Sequence, residues 1–105
     1  MHYIAMNRFK VGKENGAAFE AVWLNREVHL TEVPGFVEFH LLRGAENTAE
    51  GYRLYASHTV WRSEEDFEAW TKSQSFRDAH KNAGDHTVMY KGHPQFEGFT
   101  AVEGA

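Results

Sequence analysis

Three stretches of this chain alternate with a period of two and place bulky apolar residues on both sides of the alternation. From Tyr3 to Phe9, Ile4, Met6 and Arg8 fall on one side, with Tyr3, Ala5, Asn7 and Phe9 on the other. Phe36 to Arg43 sets Val37, Phe39 and Leu41 against Phe36, Glu38, His40 and Leu42. Tyr52 to Trp61 sets Leu54, Ala56, His58 and Val60 against Tyr55, Ser57, Thr59 and Trp61. A period of two marks β-strands, and strands apolar on both faces need cover on both. Helices can cover one face of an antiparallel sheet. The other has to find a second sheet, so the pattern predicts a homodimer that closes a β-barrel between copies.

The remaining segments supply the helices. Lys10 to Gly16 is a polar turn, and Asn15 or Gly16 opens a helix. Phe19, Val22, Trp23 and Arg26 follow at helical spacing, with Leu30 four further on, so one apolar stripe ends in an arginine stem. That helix is expected to stop between His29 and Glu32, before Val33-Pro34-Gly35. Gly44 to Gly51 reads as a polar loop. After Trp61, Ser63 can cap a helix whose first turn is Glu64, Glu65 and Asp66, negative residues at the positive end of the dipole. Phe67 and Trp70 share a face of it. Ser73 and Ser75 interrupt the run, and Ser75 can cap a further helix through Phe76, Ala79 and His80. Lys81 to Thr87 is a polar loop, Val88 to Tyr90 a short strand or turn, and Pro94 starts a last extended run from Gln95 to Val102. Phe96, Gly98 and Thr100 alternate there with Glu97, Phe99 and Ala101. The order is β-α-β-β-α-β. It predicts an α+β fold: a ferredoxin-like split β-α-β antiparallel sheet, helices on one face, one domain spanning residues 1–105.

Composition removes several classes of function. With no cysteine among 105 residues, disulfides, thiolate metal sites and covalently attached heme are excluded. A formal charge of −4 argues against a nucleic-acid partner. No apolar run approaches the roughly 20 residues of a membrane span, and Met1-His2-Tyr3-Ile4 leads straight into a strand, so a cytoplasmic location is expected. Aromatic residues make up 14% of the chain and there are seven histidines. That combination suits either an aromatic core with surface histidines or a pocket for a flat ligand with a nitrogen donor. His29, His40, His58, His86 and His93 lack the spacing of a histidine-rich zinc site. Nothing reads as a flavin or nicotinamide motif.

Three residues carry candidate chemistry. Asn7 is a poor strand former on a face otherwise held by Tyr3, Ala5 and Phe9, and its amide needs either a neighbouring loop or a ligand. His80, four after Phe76, projects over the same helix face unless it is a surface histidine favoured by the helix C-terminus. Trp70 is a core residue or a ligand-facing one. Trp61 and Trp23 read as core and interface.

Thr59-Val60-Trp61-Arg62-Ser63, then Phe67, Trp70, Ser73, Phe76 and Ala79-His80, resemble the IsdG-like heme-degrading monooxygenases of the dimeric α+β barrel superfamily. Met6-Asn7-Arg8-Phe9 and Pro34-Gly35-Phe36 resemble it too. The likeness covers most of residues 1 to 80, and the chain departs from the pattern after His80. It implies that His80 ligates the iron of a noncovalent b-type heme, and that Asn7 hydrogen-bonds the oxygen ligand on the opposite side. Trp70 would then press the porphyrin out of plane, with Phe76 in the same pocket, and the propionates would lie near solvent or meet a local base such as Arg26, Arg77 or Lys81. The implied activity opens the porphyrin oxidatively with O2, heme being cofactor and substrate together, and releases iron. Electrons would come from an external reductase or a small-molecule donor. Two other classes stay open: cofactor-free oxidation of a phenolic or quinone-like substrate, and a non-catalytic heme-binding dimer.

Overall fold

Alternation becomes a four-stranded sheet: β1 (Tyr3–Gly12), β2 (Phe36–Asn47), β3 (Tyr52–Trp61) and β4 (Tyr90–Thr100). The computed structural model describes residues 1–26, 30–80 and 89–105, except for the side chains of Ser75, Ala79 and His80. The strand order is β2-β3-β1-β4, antiparallel throughout, as the split β-α-β reading requires. In the β1–β3 ladder Tyr3 pairs with Trp61, Ala5 with Thr59, and Asn7 with Ser57. On its other side, Asn7 pairs with Phe96 of β4.

Helices α1 (Gly16–Asn25), α2 (Glu64–Thr71) and α3 (Gln74–His80) lie over one face. Tyr3, Ala5, Leu30 and Trp61 make one buried cluster, with Phe36, Phe67 and Trp70 packed against it. Phe9, Val11, Phe19 and Tyr55 make a second, bordered by Trp23, Leu41 and Tyr90. Glu20 ties α1 to the sheet. Its carboxylate accepts from Arg43 Nε at 2.9 Å and Nη2 at 2.6 Å, and from the buried Tyr55 hydroxyl. The Arg43 bonds, then the Tyr55 bond, hold this carboxyl down at about 2.

Several local expectations shift, among them the turn expected from Lys10, where β1 instead runs to Gly12. The first helix stops at Asn25, Arg26 is extended, and Leu30 reaches the core from a 3-10 turn, Leu30–Glu32. Leu24 and Asn25 are exposed, so no packing holds another helical turn. In β2 a register shift between Phe36 and Glu38 adds a residue, as a β-bulge does. Phe36 therefore joins Phe39 on the helix side, edge-on to Trp61 at 5.9 Å, while Val37 is left exposed. Strand β2 also runs on through Gly44 to Asn47. In place of a run starting at Pro94, β4 begins at Tyr90, with its register shifting opposite Arg8 and Lys10. Pro94 is tolerated because β4 is an edge strand.

Ser63 caps α2 as expected, accepting from the Asp66 amide at 3.1 Å. The start of α3 belongs to Ser73 and not Ser75. The Ser73 hydroxyl donates to the Trp70 carbonyl at 2.6 Å and accepts from the Phe76 amide at 3.1 Å, so one side chain ends α2 and begins α3. Gly35, at φ +84°, turns the chain into β2, and a Cβ there would fall on the Asp66 side chain.

The sheet's other face carries Ile4, Met6, Leu54, Ala56 and Val60, with Leu42 and Phe99 more exposed. His40 and His58 are directly paired there, and Arg8 meets Glu97 at 2.9 Å.

Candidate functional site

The helices do not close down on the sheet everywhere. A cavity of about 510 Å³ lies between them, a size suited to a flat polycyclic ligand. Its floor is the helix-facing side of β1 and β3, where Asn7, Ser57 and Thr59 stand among apolar neighbours. One wall comes from α1, with Phe19, Val22 and Trp23. The opposite wall comes from Phe67 and Trp70 of α2 and Phe76 of α3.

Asn7 faces this cavity from the middle of β1. Among the described residues its side chain makes no hydrogen bond, to a neighbouring loop or otherwise. Trp70 serves both roles considered for it. Its ring packs on the fully buried Trp61 at 5.3 Å and meets Phe76 edge-on at 4.9 Å, and it lines the cavity. Phe76 also lines the cavity. His80 closes α3 one turn beyond Phe76, and its side chain lies outside the described residues, as does the whole of His86. His93 is exposed on β4, and among the described side chains no histidine lines the cavity. No group of three metal-binding side chains occurs among the described residues either.

One participant differs from expectation. Trp23 lines the cavity instead of an interface, stacked on Phe39 at 5.8 Å with the rings 12° apart. Arg26 then lays its guanidinium 4.1 Å from the Trp23 ring and 5.0 Å from that of Phe39. Burial pulls its pKa to about 10, so it stays charged at neutral pH. Among the described residues no carboxylate pairs with it. The stripe ending in arginine is the sequence signal for this, since an arginine stem extends an apolar stripe and its head can stack on aromatic rings. Ser57 and Thr59 lie on the strand face that the alternation gives them, but nothing in their spacing marks them as cavity floor.

Residues 2–82 match the family described as antibiotic biosynthesis monooxygenase. The chain belongs to that family. Among relatives, the heme-degrading monooxygenase of Bacillus cereus is 35% identical over 81 residues, covering 77% of this chain and 73% of its own. That of Bacillus mycoides is 33% identical over the same shares. Among solved structures, the heme-degrader MhuD from Mycobacterium tuberculosis, with two hemes bound, superposes with a TM-score of 0.68. It is 23% identical, and the match covers 98% of each chain. SnoaB, a cofactor-independent oxygenase from Streptomyces nogalater, also gives 0.68 at 23% identity, over 97% of this chain and 94% of its own. This family fold thus accommodates a heme degrader and a cofactor-free oxygenase alike, and the cavity's own residues have to separate the two chemistries.

Proposed function

We propose that this protein is a heme-degrading monooxygenase, opening the porphyrin with O2 and electrons from an external reductase or small-molecule donor. One observation carries this reading: Asn7 and Trp70 come from different elements yet face one aromatic-walled cavity, with the Arg26 guanidinium, which no described carboxylate pairs, also on its lining. The curated relatives named for heme degradation support it.

The residues present fit a noncovalent b-type heme. Trp70 and Phe76 offer faces and edges for a porphyrin plane, Arg26 a counter-charge for a propionate. Arg77 is a poorer candidate for that charge, since its guanidinium is tied to Gln74 and the Lys72 carbonyl. Lys81 falls outside the described residues. We assign iron ligation to His80, one helical turn past the cavity-lining Phe76. When bound, heme supplies both the oxygen-activating iron and the carbon skeleton that is oxidised. Asn7 orients the small co-substrate through its amide and stabilises negative charge developing there. Trp70, which packs on Trp61, would press against a porphyrin bound in the cavity and position it for oxidation. The aromatic walls keep water from the reaction.

The protein works as a cytoplasmic homodimer in this proposal, and no helix among the described residues is long and apolar enough to cross a membrane. Cofactor-free oxidation of a phenol is favoured by one feature, the row of Asn7, Ser57 and Thr59, which suits ligand hydroxyls. Hemin titration separates the two. A Soret band saturating at fixed stoichiometry is expected, and a protein that leaves the hemin spectrum unchanged would be read as the cofactor-free enzyme.

A further inference from the structure

Ser57 stands directly across the ladder from Asn7, in the middle of the sheet and on the floor of the cavity. It is 6% exposed and is the buried polar residue among the described ones. Its hydroxyl borders the cavity, where a ligand or water can accept a hydrogen bond from it. Among the described residues its neighbours on this face are otherwise engaged or apolar. Across β2 it meets Leu41, and the Tyr55 hydroxyl, two residues back, is committed to Glu20. Among the described residues the Ser57 side chain makes no hydrogen bond, and none joins it to Asn7. Directly opposed residues of an antiparallel pair hold their Cβ atoms about 4.5–5.5 Å apart, so one small ligand atom can touch both side chains.

We propose that Ser57 is a positioning residue that forms, with Asn7, a two-donor cradle for the small co-substrate beside the porphyrin. This rests on the heme-degrading function proposed above. The amide and the hydroxyl approach from adjacent strands, so together they fix the direction of that ligand where Asn7 alone fixes only its distance. A serine that merely left room for the porphyrin would not need its oxygen.

Ser57→Ala removes that oxygen and little else, and Ser57→Thr keeps a hydroxyl. The ferric, hemin-loaded protein is titrated with cyanide, and the stretching band of carbon monoxide is recorded on the ferrous form without oxygen. Losing one hydrogen bond should weaken cyanide binding roughly five- to tenfold in Ser57→Ala. Its carbon monoxide band should move to higher frequency, as in Asn7→Ala, while Ser57→Thr stays near the parent in both. A Ser57→Ala protein matching the parent in both measurements, with Asn7→Ala displaced, overturns the cradle and leaves the function standing. A parent that takes up no hemin overturns both.

Discussion

Arg26 and Trp70 show how single side chains separate binding from chemistry. If Arg26 holds a ligand carboxylate, Arg26→Ala should weaken hemin binding about tenfold or more, the scale of a charge-assisted hydrogen bond. Hemin dimethyl ester, which lacks the carboxylates, should bind parent and variant alike. Equal losses for both would make Arg26 a packing residue. For Trp70, a pure core role predicts that Trp70→Phe costs about 1–3 kcal/mol of stability and leaves turnover intact. Pressure on the porphyrin predicts roughly tenfold slower single-turnover bleaching with heme still bound, the loss of about 1.4 kcal/mol in the transition state. Trp70→Ala should be slower still. The packing of Trp70 on Trp61 makes the second outcome the expected one, because a braced indole transmits force and a loose one does not.

At the scale of elements, Glu20 pins α1 over β2 and β3, and this tie should be visible in acid. Its pKa is about 2 in the folded protein against an ordinary 4.5, so its contribution is present above the ordinary value. That contribution is lost as pH falls from there towards 2. The thermal midpoint of the parent should drop through this window, and Glu20→Gln should be less stable near neutrality with a shallower drop. Parallel curves would remove the tie. Much of this layer was legible in the sequence: the strand faces of β1 and β3, the Ser63 cap and the element order all follow from local periodicity and composition. What was not legible depended on contacts between elements. The bulge that turns Phe36 inward sets it edge-on to Trp61 of the paired strand, and Ser73 begins α3 because its hydroxyl bonds both the Trp70 carbonyl and the Phe76 amide. Likewise Trp23 reads as a helix stripe residue until Phe39 is found stacked on it from β2.

For the whole molecule, the uncovered sheet face poses the question of a second copy. Leu42 and Phe99 are exposed on it beside Ile4 and Met6, a face that a partner sheet would bury. Sedimentation equilibrium at micromolar concentration should give a species of twice the 12.0 kDa chain mass, and a chain-mass species alone would contradict the dimer. The central claim is that this cavity takes heme and opens it, and one measurement addresses that most directly. The stoichiometric hemin complex is given a reductant and oxygen, with a ferrous chelator present, while the Soret band and the chelate colour are followed together. Bleaching of the band with matching release of iron is the predicted result; a Soret band that persists while the reductant is consumed, with no iron released, would contradict it.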